Sequence, residues 1–194
     1  MILKNSFDVS QPLDTVWQSF QDIPGVAACL PGAELTDDLG DDRYAGRVGV
    51  SMGPVTLRFA GTAAIVERDE PGKRLVIDAS GADERGRGQA SMMITARLTS
   101  AGRGTRVDLD QDLQLSGAAA QYGRGMISDV TAVLMGQFAT NMQNRIEAQE
   151  RGEDPDTVTT GASVSGFAIG ARALRMALTR VFRRFFLPYQ PNQS

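Results

Sequence analysis

The chain has 194 residues, 42% of them apolar, with a formal net charge of −3, which suits one globular domain with room for an appendage. It contains no histidine and a single cysteine, Cys29. Those absences exclude an internal disulfide, every triad that uses His and the usual zinc sites, so an enzyme built from this set would have to rest on carboxylates or a borrowed cofactor.

Residues 1–9 read as a first strand and lack the apolar core of a signal peptide. Ser10 is placed to cap a short helix, with Pro12 in its first turn. Leu13, Val16, Trp17 and Phe20 share one face of that helix. Ile23-Pro24-Gly25 breaks it, and residues 26–30 form a second short helix stopped by Pro31-Gly32. The acids Asp37, Asp38, Asp41 and Asp42 read as a loop with turn chemistry.

A run of strands follows. Residues 43–52 place Tyr44, Gly46, Val48, Val50 and Met52 on one face, and Gly53-Pro54 turns the chain. Residues 55–66 group Val55, Leu57, Phe59, Gly61, Ala63 and Ile65. Residues 74–80 are a strand, and 81–88 a polar, glycine-rich hairpin loop. In residues 90–98, Met92, Ile94, Ala96 and Leu98 point inward. Residues 106–115 alternate most regularly, with Val107, Leu109, Leu113 and Leu115 on one face and Asp108, Asp110, Asp112 and Gln114 on the other. Only Gln111 interrupts that alternation. Period-two patterning with one wet face and short connections implies an antiparallel sheet.

Residues 116 to about 150 contain no proline and repeat apolar residues at helical spacing: Tyr122, Met126, Val130, Val133, Leu134, Phe138, Met142 and Ile146. Ser116 is placed as N-cap and Gly152 as the C-terminal stop, with Arg124, Asp129, Asn144 and Arg145 on the opposite side. Gly117, Gly123, Gly125 and Gly136 weaken such a helix by roughly 1 kcal/mol each relative to Ala; they imply close approach by the sheet or by a bound molecule. The helix is the natural cover for the inner face of the sheet. The expected fold is α+β: a curved antiparallel sheet wrapped around a long C-terminal helix, with two short helices after the first strand. It occupies residues 1–151, followed by a flexible Thr/Ser/Gly-rich linker over 152–166, a helix over 167–188 and a short disordered tail over 189–194.

The charge is uneven. From Gly161 onward there are five arginines and no acid, +5, which leaves 15 bases and 23 acids, −8, for the rest. In the last helix Phe167, Leu174, Leu178, Val181, Phe182 and Phe185 gather on one side, with Phe186 nearby. Arg180, Arg183 and Arg184 fall on the other, with Arg175 at the boundary. Aromatics opposite arginines suit a helix lying on an anionic membrane surface or in the groove of a partner protein. Docking onto its own domain would not call for so many arginines, nor nucleic acid for the apolar stripe.

The glycine-rich 81–88 stretch lacks the Lys-Ser/Thr of a phosphate loop. The acids of 37–42 lack the spacing of a calcium loop, and no metal site is expected. The inward residues are Trp17, Phe20, Leu30, Val48, Val50, Met52, Leu57, Phe59, Met92, Ile94, Leu113, Tyr122, Met126, Val130, Leu134 and Phe138. With Gly46, Gly61, Ala63, Ala96 and Gly123 among them, they leave open either a filled core or an apolar cavity with adaptable Met lining.

Phe7-Asp8-Val9, Pro12, Val16-Trp17, Phe20 and Asp22 resemble the start of a helix-grip domain of the START-like, or SRPBCC, superfamily. Ala27-Ala28-Cys29-Leu30-Pro31-Gly32-Ala33, Val50-Ser51-Met52-Gly53-Pro54-Val55, Gly104-Thr105-Arg106-Val107 and residues 117–123 resemble the CoxG family of carbon monoxide dehydrogenase proteins. The resemblance spans roughly residues 1–150. It implies a non-catalytic accessory protein of a molybdenum carbon monoxide dehydrogenase, recruiting that enzyme to the cytoplasmic face of the membrane, with a helix-grip cavity for a lipid-like guest. Joined to the basic tail, it implies a carrier of a quinone such as menaquinone, its isoprenoid chain along the Met- and Val-rich wall and its ring near the mouth. The alternative it leaves is a pure membrane anchor without a guest.

Overall fold

In the computed structural model, residues 1–156 are described. The order of elements is β1 (Ile2–Val9), α1 (Leu13–Gln21), α2 (Ile23–Cys29), β2 (Ala33–Gly40), β3 (Arg43–Met52), β4 (Val55–Asp69), β5 (Arg74–Asp83), β6 (Gln89–Ala101), β7 (Gly104–Leu115), a 3-10 turn (Gly117–Gln121) and α3 (Arg124–Glu150). All seven strands form one antiparallel sheet in the order β1-β7-β6-β5-β4-β3-β2. The strands from β2 to β7 are a meander, as the short connections require. β1 pairs with β7, so α1 and α2 carry the chain from one edge of the sheet to the other. Register shifts between Leu35 and Asp37, Asp38 and Gly40, and Ile65 and Glu67 mark bulges, which bend a sheet and strengthen its twist.

The core divides into two clusters. One joins Val9, Val16, Trp17, Phe20, Cys29, Leu75, Leu98, Val107 and Leu109 to Phe138, Met142 and Ile146 of α3. The other joins Leu3, Met52, Leu57, Phe59, Leu113 and Ala119 to Ile127 and Val130. In the first, Phe138 meets Phe7 and Phe20 edge-on, with ring centroids 5.8 and 6.2 Å apart, a favourable aromatic geometry.

Several expectations change. The long helix begins at Arg124, not Ser116; Gly123 is its N-cap, and a 3-10 turn precedes it. Ser116 does not cap a helix with its side chain. Its Oγ accepts from the Gln89 amide at 3.0 Å and so ties the end of β7 to the start of β6. A Cβ added at Gly123, Gly125 or Gly136 meets nothing within 4 Å, so these glycines do not mark a close approach. Arg145, placed outward by spacing, is buried. Pro12, not Ser10, stands at the N-cap of α1. Ile23-Pro24-Gly25 opens α2 rather than breaking a helix, because Asp22 caps it by accepting from the Gly25 amide. Asp37 and Asp38 belong to strand β2, although their composition suggests a loop. Only Asp41 and Asp42 turn the chain, both at positive φ (52° and 57°), the geometry of a tight hairpin turn. Strand β5 extends to Asp83, so the expected 81–88 loop shrinks to residues 84–88.

Candidate ligand cavity

Between the two clusters the sheet and α3 stand apart around a cavity of about 410 Å³, walled almost wholly by apolar atoms. That is within the range of small-molecule sites. Twelve of the expected inward residues line it: Phe20, Leu30, Val48, Val50, Met52, Phe59, Met92, Ile94, Leu113, Val130, Leu134 and Phe138. Four do not. Trp17 is 1% exposed and packed in the first cluster; Leu57, also 1% exposed, fills the second. Tyr122 packs against the second cluster from outside the cavity. Met126, in the first turn of α3, is 39% exposed. The membrane-facing set from Phe167 to Phe186 and the expected helix over 167–188 lie outside the described residues, as does the linker beyond residue 156.

The space exists because small residues face one another. Ala63 of β4 pairs with Ala79 of β5, and both line the cavity with Ala96 and Ala90 of β6. Gly61 has a second reason to be glycine. A Cβ there would lie 1.9 Å from the Ser80 carbonyl oxygen, so any side chain would push β4 and β5 apart.

Helix α2 forms one wall through Ile23, Val26, Ala27 and Leu30, and polar groups hold it. The Asn141 side chain, buried on α3, donates to the Cys29 carbonyl at 2.9 Å. The Arg145 guanidinium reaches Asp156 at 2.6 Å and Asp22 at 3.5 Å. Gly25 permits that approach, since a Cβ would stand 2.8 Å from the Arg145 Nε. After α2, Gly32 takes φ +78° and accepts from the Gly49 amide at 2.8 Å, docking the Pro-Gly corner onto β3. Burial pushes the Cys29 thiol up to about 11, against a smaller pull from Arg145, so it is a neutral packing group.

Among the lining residues, Glu34 of β2 and Arg47 of β3 are exposed and are cross-strand partners. The cavity therefore reaches the surface at this edge. Tyr44, also on the wall, has its phenol held above its usual range by burial, with Asp38 and Asp42 adding to the effect; it stays protonated and neutral. Away from the cavity, Asp83 is 4% exposed and accepts from the backbone amides of Arg58, Arg85 and Arg87 and from the Arg87 side chain at 2.8 and 2.9 Å. It organises the β5–β6 hairpin. No grouping of acids and cysteine suited to a metal ion occurs among the described residues, and no described helix is long and apolar enough to cross a membrane.

Several wall residues stand outside the inward set expected from sequence, among them Ile127, Met135 and the polar Gln111. Gln111 is 3% exposed and lines the cavity between Leu109 and Leu113. The signal is visible in β7: Val107, Leu109, Leu113 and Leu115 set the inward parity, and Gln111 falls on it.

The fold is shared with known structures. A conserved protein from Geobacillus kaustophilus matches with a TM-score of 0.69 at 18% identity, covering 77% of this chain and 97% of its own. The Zhui aromatase/cyclase from Streptomyces sp. R1128 matches with a TM-score of 0.57 at 15% identity, covering 79% and 99%. The Mll3558 protein from Rhizobium loti matches with a TM-score of 0.53 at 18% identity, covering 72% and 95%. At these identities the likeness establishes the helix-grip fold. No curated protein matches the chain. The model of the CoxG family, named for a component of carbon monoxide dehydrogenase, matches residues 6–147, which include the Pro-Gly corner, the α2 wall and nearly all of α3. The chain belongs to the CoxG family, a membership that suggests an accessory role beside carbon monoxide dehydrogenase.

Proposed function

We propose that this protein is a non-catalytic carrier that holds a lipophilic quinone, such as menaquinone, in the cavity between sheet and α3. In this reading it serves a carbon monoxide dehydrogenase by linking that enzyme to quinone in the membrane. The observation that carries the proposal is the cavity itself, about 410 Å³ and almost wholly apolar. Such a volume suits a bicyclic ring and the first isoprene units; the rest of a long tail would leave through the opening at Glu34 and Arg47. Methionines on the wall, Met52, Met92 and Met135, adapt to an irregular guest. The arginine-rich segment over 167–188 would bring the carrier to an anionic membrane surface at the cytoplasmic face.

The test is direct. Full-length protein purified without detergent, extracted with organic solvent and examined by mass spectrometry is expected to yield an isoprenoid quinone. Protein stripped of lipid is expected to take up menaquinone-4 saturably. Stripped protein that takes up none has no carrier role, and a tether for the enzyme is then what remains. Sedimentation with anionic vesicles separates the second half of the proposal. The full chain should bind them and a chain ending at Arg151 should not, while both still bind menaquinone-4.

A further inference from the structure

The apolar cavity wall contains one largely buried residue, Gln111, whose carboxamide faces the cavity space. The Gln111 carboxamide has no hydrogen-bond partner among the described residues, although the residue is 3% exposed. The other buried polar and charged residues are engaged. Asp83 accepts from the Arg87 side chain, Asn141 donates to the Cys29 carbonyl, Thr105 donates to the Gln11 carbonyl at 2.8 Å, and Arg145 pairs with Asp22 and Asp156. The Trp17 indole N–H is enclosed without a partner, but it sits in the first core cluster and does not line the cavity. On α3, Thr131 faces the cavity but gives its proton to the Ile127 carbonyl at 2.8 Å. The polar atoms of Gln111 are not among the enclosed, unpartnered ones, a class that among the described residues holds the Trp17 indole nitrogen, so the carboxamide opens onto the cavity space, where a guest can reach it.

The position of Gln111 adds a second constraint. It sits in the interior strand β7, opposite Leu3 of β1 and Ile94 of β6. It also divides the two core clusters, with Leu109 in one and Leu113 in the other. The cationic residue on the wall is Arg47, exposed and at the rim. A carboxylate or phosphate carried to Gln111 would therefore be desolvated with no positive charge beside it.

We propose that Gln111 is the hydrogen-bonding anchor at the inner end of the cavity, selecting lipophilic guests whose leading end bears a neutral oxygen over pure hydrocarbons and fatty acids. The inference rests on the carrier reading and deepens it. A carboxamide offers both a donor and an acceptor. It can donate to a quinone carbonyl or accept from a quinol hydroxyl, so either oxidation state finds a partner. The ring then sits deep at β7 with the tail toward the rim, opposite to the orientation expected from sequence.

The experiment compares menaquinone-4, its hydrocarbon analogue with both carbonyl oxygens removed, and palmitic acid. Each displaces a fluorescent apolar dye from the lipid-stripped, full-length chain. Wild type is expected to bind menaquinone-4 roughly tenfold more tightly than the analogue, the size of one well-made neutral hydrogen bond, and to bind palmitic acid weakly. In Gln111→Leu, and in the unbranched Gln111→Met, menaquinone-4 should weaken roughly tenfold while the analogue binds as well as before or better. Undiminished menaquinone-4 affinity in both variants overturns the anchor, as does an equal loss for menaquinone-4 and the analogue. Wild type that binds neither menaquinone-4 nor the analogue overturns the carrier reading itself, an outcome distinct from the failure of Gln111.

Discussion

The two halves of α3 meet the same sheet in different ways. In the C-terminal half, Phe138, Met142, Ile146 and Ala148 are 6%, 0%, 1% and 0% exposed, packed against α1, α2 and the β1 side of the sheet. In the N-terminal half, Ile127, Val130, Leu134 and Met135 look onto the cavity. The helix does not change character between them; the partners do. Trp17, Phe20 and Leu98 fill the first half, whereas Ala63, Ala79 and Ala90 stand back from the second. One end thus supplies stability and leaves the other free to stay hollow, which a closely packed interior would not otherwise tolerate.

That contrast can be broken most sharply by matched truncations. Met142→Ala in the packed half should lower the unfolding free energy by about 3 kcal/mol, by lost transfer energy and a new void. Met92→Ala on the cavity wall should lower it by about 1 kcal/mol or less, since it enlarges a space already present. Equal losses in urea denaturation would mean that the two halves are packed alike. Filling the hollow is the complementary change. Ala63→Phe should reduce menaquinone-4 uptake at least tenfold, by steric exclusion, with unfolding resistance kept or raised. Uptake at the wild-type level would place the guest elsewhere.

The polar clamp that ties α2 to the packed half of α3 should matter less. Arg145→Met should lower stability by about 1 kcal/mol, because the side chains of Asp22 and Asp156 are 45% and 71% exposed and water screens both pairs. Its clearer sign should be faster amide hydrogen exchange in α2, the wall that the clamp holds; unchanged exchange there would remove the clamp from the account. The smallest effect is tied to acid. The Arg87 side chain, helped by three backbone amides, holds the Asp83 carboxyl well below the usual carboxylate range. A carboxyl lowered in the folded state stabilises above its unfolded value, and that contribution fades as pH falls through the folded one. Asp83→Asn should therefore be slightly less stable at neutral pH and show a shallower fall toward acid. An unaltered acid limb would mean that Asp83 does not contribute to it.

What can be read directly from the chain are features written in local periodicity. The alternation in β3, β4 and β7, the helical spacing from Val130 to Ile146, the Pro-Gly corner after Leu30 and the stop at Gly152, which takes φ +71°, all depend on neighbours within a few residues. They suffice for an antiparallel sheet under one long helix. Strand β2 escapes because its acids, Asp37 and Asp38, resemble turn residues; it is an exposed edge strand, held by pairing with β3 rather than by its own pattern. The start of α3 escapes because the 3-10 turn uses the same residues a helix would. Spacing assigns Arg145 to solvent, since it cannot reveal that Asp22 and Asp156 wait on the inward side.

The hollow belongs wholly to tertiary structure. A cavity is a difference between the volume enclosed by the sheet and helix and the side chains that enter it. The residues that set it, Ala63 and Ala79 on neighbouring strands and Leu134 on α3, are distant in sequence. Gln111 marks the boundary between the two kinds of knowledge. Its break in the alternation of β7 is plain in the sequence, but only the fold, by surrounding it with apolar walls and giving it no partner among the described residues, turns that break into a candidate anchor.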